Sequence, residues 1–355
     1  MTQNKKEKPQ PPIFIVVPGI MGTELLVEEG HFAWNILIAG AVTGHAYTGE
    51  HLTNPNLLIG DLLGRGLDNI HVPGYGWFLD QLARYGHVCT LNYDWRYRVK
   101  YHAKPLAKGI LKLHENNSNR PIILIGHSMG GLICLRAIYQ YEGVKEAITT
   151  FVPLAVPVGG STMAPERAYN GFGWGGNQDE IKEVLRGFGS VMNDLWPKYP
   201  WFHEHRRDPL IRSPPPAGIP LPPPTHEVLA LVQRATPEDY QGMADYAREE
   251  TANYKFKGFR CDKIKTSHSM KKRVFTDGYR VSIRERRMGD GTVLAAQSIG
   301  TTISHAVKHR RFVNDQEIFD KIVEGMDLIE EEEQQTQSQL GQTTQACTCG
   351  GHINV

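Results

Sequence analysis

Short apolar runs alternate with longer amphipathic segments up to about Gly160. The apolar runs, such as "IFIVV", are rich in β-branched residues and typical of strands buried on both faces. The longer segments place apolar residues three or four positions apart, as amphipathic helices do. The pattern predicts strands at Ile13–Val17, His87–Tyr93, Ile122–Ile125 and Ala147–Leu154 and helices at Gly74–Gly86, Ala103–Asn117 and Ser128–Tyr141. Such alternation predicts an α/β fold, with a mostly parallel sheet and helices on both faces.

The alternation stops after Gly160 and resumes only beyond about Thr251. The intervening sequence is irregular and aromatic, and it contains "SPPPAGIPLPPP", which favours extended polyproline-like chain. We expect residues 13–161 and 252–330 to form the core and residues 162–251 to form an inserted cap over the edge of the sheet. Residues 1–12 and 331–355 are polar and are expected to be disordered.

The resumed pattern ends in a strongly amphipathic helix. "TTISHAV" predicts a strand, and Asn314 and Glu317 have the spacing of a capping box at the start of the helix. Before it, Lys255–Arg287 is rich in Lys and Arg and fits a strand pattern poorly. A solvated face is the simpler interpretation of that charge, and contact with an anionic lipid surface stays open.

Composition excludes several classes of function. The 355 residues carry a formal net charge of +1, so no overall charge favours nucleic acid as a partner. No apolar run reaches the length of a membrane span, and the N-terminus lacks the apolar region of a signal peptide, so a cytoplasmic location is expected. An odd number of cysteines argues against a disulfide framework; they are Cys89, Cys134, Cys261, Cys347 and Cys349.

A serine lies between a predicted buried strand and a predicted helix. Gly126-His127-Ser128-Met129-Gly130 is a G-x-S-x-G motif, and its strand–turn–helix context is the one in which such a serine is a nucleophile. Gly126 and Gly130 suit a turn in which strand and helix approach closely. Chance occurrence is the alternative, and the context favours a nucleophilic Ser128.

A serine needs a base and an orienting acid, which follow it in the order Asp, His in this arrangement. Asp290, in "MGDGTV", is the candidate acid, although an Asp-Gly turn has no need of a catalytic role. His309 is the candidate base, because it follows the predicted strand on a loop. His305 is in phase with the apolar Ile303 and Val307, so we expect its ring to pack inside.

An oxyanion hole needs two backbone N–H donors. Met129 follows the serine and offers one. Met21, in the glycine-containing "PGIMGTEL" after the first strand, is the candidate for the other. A simple strand-ending turn is the alternative interpretation of that segment.

The motifs "VVPGIMGTEL", "YDWR", "GHSMGG", "PVGGS", "GDGTV" and "HRRFVNDQEIF" occur in this order. Together they resemble the lecithin–cholesterol acyltransferase family of α/β-hydrolases, in its bacterial, lipase-like branch. The resemblance implies an α/β-hydrolase fold and Ser128, Asp290 and His309 as nucleophile, acid and base, with Met21 and Met129 as oxyanion donors. It also implies attack on lipid esters, presented in some cases at a membrane or micelle surface, and transfer of the acyl group to water or another hydroxyl.

Other signals are weaker. His203 and His205 lack a clear third metal ligand. Cys347, Cys349 and His352 could form a metal or redox cluster, but such a grouping on a low-complexity tail is more often incidental. Several aromatic residues could line an acyl pocket or form the core of the insertion, and these are Phe172, Trp174, Trp196, Tyr199 and Trp201. The sequence therefore favours a serine esterase or lipase that needs neither metal nor cofactor. An acyltransferase and, less favoured, a non-catalytic binding protein on the same fold are the alternatives.

Overall fold

The computed structural model describes residues 10–27, 32–34, 52, 56–63, 74–117, 120–161, 163–164, 167, 194–195, 257–275, 278–295, 298–325 and 351–352. Its centre is a seven-stranded sheet in which every described pairing is parallel. The strands are β1 (Ile13–Val17), β5 (His87–Thr90), β6 (Ile122–His127), β7 (Thr150–Leu154), β8 (Phe259–Arg260), β11 (Thr301–Thr302) and β12 (Gly351–His352), and the order is β11-β8-β7-β6-β1-β5-β12. The predicted parallel sheet is confirmed.

Helices cover both faces of this sheet. They are α1 (Gly76–Ala83), α2 (Val99–Asn116), α3 (Met129–Gln140), α4 (Val144–Ala147) and α5 (Gln316–Glu324). Along β1, Ile13, Ile15 and Val17 pack with α2, α3 and α4, whereas Phe14 and Val16 pack with α1 and α5. This alternation explains the unbroken apolar run, because both faces of the strand are buried.

The predicted bounds differ from the observed ones at the ends of elements. The second predicted strand ends at Thr90 rather than Tyr93, and Ala147 belongs to α4 rather than to the strand that starts at Thr150. The helix predicted from Ala103 begins four residues earlier, at Val99, and contains Pro105. These are ordinary end effects, since local sequence marks the ends of elements less sharply than their centres.

Two smaller antiparallel units were not predicted. Strands β2 (Thr23–Leu26), β3 (Phe32–Trp34) and β4 (Leu58–Leu62) form one sheet in the order β3-β2-β4. Strands β9 (Ile264–Phe275) and β10 (Gly278–Gly289) form a long hairpin from most of the basic segment. Most of the basic segment is therefore β-strand. Whether it is a solvated face or contacts an anionic lipid surface is not tested by this geometry.

The start of the last helix differs from the predicted capping box. The N-cap is Asp315, whose Oδ1 accepts a hydrogen bond from the Ile318 N–H at 3.0 Å. Asn314 instead ends a 3₁₀ helix (His309–Asn314), and its side-chain amide donates to the Gly74 carbonyl at 2.9 Å. The predicted Asn314 cap is therefore wrong by one residue, because both residues are good caps and local sequence does not choose between them.

The predicted insertion is described only at residues 163–164, 167 and 194–195. There, Asp194 accepts hydrogen bonds from Arg98 and from the Val99 N–H at the start of α2, which joins the insertion to the core. In the tail, Gly351 and His352 pair with Cys89 and Thr90 at the edge of the sheet, and the expectation for the rest of 331–355 lies outside the described residues. The 1–12, 13–161, 162–251 and 252–330 boundaries remain predictions.

Among the described helices, none combines the length and apolarity that a membrane crossing requires.

Candidate active site

Ser128 occupies a sharp turn between β6 and α3. Its backbone angles are φ 53° and ψ −124°, a conformation that non-glycine residues rarely adopt. The Ser128 N–H is fixed by the Leu154 carbonyl at 2.9 Å, and 6% of the residue is exposed. Backbone strain of this kind is held by the surrounding structure and is typical of functional sites.

The glycines beside Ser128 leave room for this turn. A Cβ atom on Gly126 would lie 2.6 Å from the Gly131 Cα, and one on Gly130 would lie 2.2 Å from the Val17 carbonyl oxygen. Both distances are far below ordinary contact. Strand β6, helix α3 and the end of β1 therefore meet where the sequence places glycine, as the motif predicts.

His309 links Ser128 to Asp290. Its Nε2 lies 2.7 Å from the Ser128 Oγ, and its Nδ1 lies 2.7 Å from the Asp290 Oδ2. The His309 N–H also donates to the Asp290 carbonyl at 2.9 Å. The side chains are 12% exposed for His309 and 3% for Asp290, so water competes little for these contacts.

Asp290 lies in the turn that follows β10, outside the parallel sheet. Its Oδ1 accepts hydrogen bonds from the Thr292 and Val293 N–H groups, at 2.9 and 2.7 Å. Gly291 has φ 95°, and its N–H donates to the Thr266 Oγ1. The Asp-Gly turn aims the second carboxylate oxygen at His309, so a turn and a contact with the candidate base occur together.

The contacts define one direction for the hydrogens. A carboxylate accepts only, so Nδ1–H of His309 donates to Asp290 and Nε2 is free to accept the Ser128 hydroxyl hydrogen. Such a chain can move a proton from the serine to the imidazole while the carboxylate stabilises the resulting charge.

His305 lies outside this chain. Its Nε2 lies 3.0 Å from the Asp315 Oδ2, and the Glu317 Oε2 lies 2.9 Å from its Nδ1 without hydrogen-bond geometry. One third of its side chain is exposed. The expected inward packing is wrong: Ile303 and Val307 are buried, but the ring of His305 pairs with Asp315 beyond the end of β11 and is only partly buried.

The turn after β1 lies against the nucleophile. A Cβ on Gly19 would be 3.0 Å from the Ser128 Cβ. Met21 has φ 64°, and its carbonyl accepts from the Trp34 Nε1 at 3.0 Å. Met129 is the first residue of α3, where N–H groups have no partner within the helix. The oxyanion roles of the Met21 and Met129 N–H groups remain predictions.

The "YDWR" motif supports the same turn from below. Arg96 is fully buried, and Asp94 accepts from its guanidinium at 2.6 Å. Trp95 Nε1 donates to the Thr23 carbonyl, and the Tyr93 hydroxyl donates to the Pro18 carbonyl at 2.7 Å. The motif thus fixes the chain on either side of Met21.

Two residues at the site were not predicted. The Tyr75 hydroxyl lies 2.7 Å from the His127 Nδ1, and the His127 Nε2 lies 3.0 Å from the His309 carbonyl oxygen. His127 is inside the G-x-S-x-G motif, but the motif leaves its position open. Tyr75 is separated by 52 residues from its partner and leaves no local signal.

The described residues contain no group of three potential metal ligands. Within them Cys89, Cys134 and Cys261 are free thiols. The predicted weak candidates His203, His205, Cys347 and Cys349 lie outside the described residues, and so do the five aromatic residues of the insertion.

Comparison with known proteins agrees with the geometry. Residues 78–198 match the family model of lecithin:cholesterol acyltransferase. The resemblance to this family is confirmed. The matched part contains Ser128 and both halves of its turn, whereas Asp290 and His309 lie beyond it. No curated protein gives a significant sequence match.

The fold is similar to a chain of the Tle4–Tli4 complex, with a TM-score of 0.56, 13% identity and coverage of 90% of this chain and 98% of that one. Bacillus licheniformis lipase BlEst2 in mature form aligns with a TM-score of 0.42, 11% identity and coverage of 91% and 94%. Phospholipase PlaB from Legionella pneumophila, in complex with thio-NAD, gives 0.38, 12% identity and coverage of 92% and 63%. The chain has an α/β-hydrolase fold.

Proposed function

We propose that the protein is a serine esterase or lipase that hydrolyses carboxylic esters, most simply those of lipids, through an acyl-enzyme on Ser128. The observation that carries the proposal is the continuous chain from the Ser128 Oγ through His309 to Asp290, with both nitrogen–oxygen distances at 2.7 Å. The family match and the α/β-hydrolase fold support the choice of ester substrates.

In the first half-reaction the Ser128 Oγ attacks the ester carbonyl carbon, and its proton passes to the His309 Nε2. The carbonyl oxygen becomes an oxyanion. In this proposal the Met21 and Met129 N–H groups donate hydrogen bonds to it. Collapse breaks the bond to the alcohol, which leaves with the proton from His309. Asp290 holds the imidazole in one tautomer and stabilises its charged form.

In the second half-reaction water attacks the acyl-enzyme and gives its proton to His309. The acid is released, and the proton returns to Ser128. An alcohol in place of water would yield a new ester, and the family's name makes acyl transfer the second candidate function. A purely binding role is less favoured, because an intact nucleophile, base and acid lie in contact.

The test is turnover on p-nitrophenyl esters of increasing chain length and on phospholipid vesicles, with wild type and Ser128→Ala. We expect hydrolysis by the wild type and a loss of about 10⁶-fold in kcat for the variant. Substantial activity in folded Ser128→Ala would contradict the proposal. Addition of a long-chain alcohol separates the two candidates, because ester formation at the expense of free acid indicates acyl transfer.

A further inference from the structure

Tyr75 and His127 connect three parts of the site that the sequence keeps far apart. The Tyr75 hydroxyl accepts a hydrogen bond from the Gly19 N–H at 2.8 Å and contacts the His127 Nδ1 at 2.7 Å. The other nitrogen of His127 contacts the His309 carbonyl oxygen at 3.0 Å. Both residues are 6% exposed, so these contacts are made away from water.

Only one arrangement of hydrogens satisfies all three contacts. The His309 carbonyl can only accept, so His127 must carry its hydrogen on Nε2 and donate it there. Its Nδ1 is then an acceptor, and the single Tyr75 hydrogen is donated to it. The opposite tautomer would set an unprotonated Nε2 against a carbonyl lone pair. Burial keeps both groups neutral, since it raises the pKa of Tyr75 and lowers the pKa of His127 to about 3.

This chain completes the anchoring of His309. Its side-chain nitrogens contact Asp290 and Ser128, its N–H donates to the Asp290 carbonyl, and its carbonyl accepts from His127. His127 is the residue directly before the nucleophile. The base is thus tied through His127 to the same stretch of backbone that carries Ser128.

The same hydroxyl also anchors the turn that carries Met21. The Gly19 N–H is bound by Tyr75, and the Gly22 N–H is bound by the Gly19 carbonyl. Tyr75 itself is the residue before α1, and its N–H donates to the Leu63 carbonyl at 2.7 Å. The start of α1 and the contact with Leu63 therefore set the position of a hydroxyl that both the turn and His127 use.

We propose that Tyr75 and His127 are positioning residues for the acyl-transfer steps, which hold His309 and the Gly19–Gly22 turn in register with Ser128. The inference rests on the proposed function. Neither residue contacts the reacting atoms by its side chain, so neither is catalytic. Their effect is on geometry, and a displacement of about 1 Å in a reacting group can cost about 100-fold in rate.

Three variants test this inference. Tyr75→Phe removes the hydroxyl and keeps the ring. His127→Asn keeps an acceptor near the Nδ1 position and loses the donor to His309, whereas His127→Gln places an amide N–H near the Nε2 position. The number of competent sites is titrated with a fluorophosphonate, and kcat is expressed per titrated site on a p-nitrophenyl ester.

We expect kcat per site to fall about 10- to 100-fold in Tyr75→Phe and His127→Asn, with KM changed less than about twofold. His127→Gln retains more of kcat than His127→Asn, since it can still donate to the His309 carbonyl. Ile110→Val, which removes one buried methyl group from α2 away from the site, is the stability control and keeps wild-type kcat per site.

A purely structural role predicts fewer titrated sites with unchanged kcat per site in Tyr75→Phe, and that result would overturn the inference. Equal kcat in His127→Gln and His127→Asn would overturn the part that assigns the His309 carbonyl contact. If either His127 variant does not fold, Tyr75→Phe decides. A wild type that neither hydrolyses esters nor reacts with fluorophosphonate contradicts the proposed function instead, so the two failures are distinct.

Discussion

Two Asp–His pairs are formed by residues between Asp290 and Asp315, and they differ in what surrounds them. Asp290 and His309 are joined at 2.7 Å, with side chains 3% and 12% exposed. His305 and Asp315 are joined at 3.0 Å and are 33% and 20% exposed. The second nitrogen of His309 faces Ser128, whereas that of His305 faces Glu317.

The comparison shows that an Asp–His pair alone does not make a proton-transfer site. His309 can take a proton from a hydroxyl, while His305 lies between two carboxylates. Asp315 also caps helix α5 through its Oδ1, so this pair has a structural task. Two features distinguish the pairs: the degree of burial, and the group that faces the second ring nitrogen, which is Ser128 for His309 and Glu317 for His305. Substitutions can alter the two pairs separately.

Replacing the histidines is expected to give the largest difference in kcat between the two pairs. His309→Ala removes the proton acceptor of Ser128, and we expect kcat to fall by about 10⁶-fold, as for loss of the equivalent group in a well-studied protease. His305→Ala should keep kcat and lose about 1 kcal/mol of stability or less, because its ion pair is partly exposed. Turnover and melting temperature of both variants are the measurements. An active His309→Ala beside a folded, inactive His305→Ala would reverse the assignment.

The carboxylates give the next largest difference. Asp290→Asn keeps the size of the side chain but favours the wrong tautomer of His309, and we expect kcat to fall by about 10⁴-fold. Asp315→Asn is the matched control, since asparagine also caps helices well and the residue is outside the serine chain. Steady-state kinetics of the two variants, with circular dichroism as a check of folding, decide the point. Similar kcat values in both would contradict the distinction.

The third comparison changes two glycines, one in the turn that carries Ser128 and one in the turn that carries Asp290. Gly130→Ala places a Cβ 2.2 Å from the Val17 carbonyl oxygen, so we expect a loss of about 3 kcal/mol or more in the free energy of unfolding. Gly291→Ala, in the turn beside Asp290, meets no atom nearer than 3.4 Å and suffers only from its φ of 95°, at a cost of about 1–2 kcal/mol. Urea unfolding measures both. A milder effect at Gly130 than at Gly291 would show that β1 and α3 can separate.

The smallest expected effect concerns His102, a buried histidine of helix α2. Burial lowers the pKa of His102 to about 4, below the value of about 6.5 that it has in the unfolded chain. The unfolded state therefore binds the proton first, and stability falls as pH drops from about 6.5 toward 4, by up to about 1 kcal/mol per pH unit.

His102→Asn removes this titration. The stability difference between wild type and variant should shrink as pH falls from 7 to 5, and urea unfolding at each pH measures it. Glu24 has the opposite sign, because burial raises its pKa to about 7, and it is common to both proteins. A difference that is constant over this range would show that His102 is accessible to protons in the folded state.

The elements whose positions depend on apolar packing could be predicted from the sequence. Strand β6 has all six residues buried, so the run before Ser128 is apolar and unmistakable. The glycines around the serine are equally readable, since main-chain atoms occupy the space that their side chains would need. Order along the chain then identified Asp290 and His309, which the structure brings together.

The parts positioned by hydrogen bonds were harder to predict. His305 was expected to pack inside because a strand was assumed to continue past Thr302. The pairing of β11 with β8 includes only Thr301 and Thr302, and local sequence does not show where such pairing stops. Helix α5 begins one residue late because two adjacent residues can both cap. Tyr75 depends on contacts 52 and 56 residues away, which no local pattern encodes.

The most direct test of the central claim is the site of covalent labelling by a fluorophosphonate. After reaction of the wild type, we expect mass spectrometry to find one adduct, on the peptide that contains Ser128, and no adduct in Ser128→Ala. His309→Ala should label far more slowly, because the hydroxyl lacks its base. An adduct on another serine, or a folded wild type that does not react, would contradict the account.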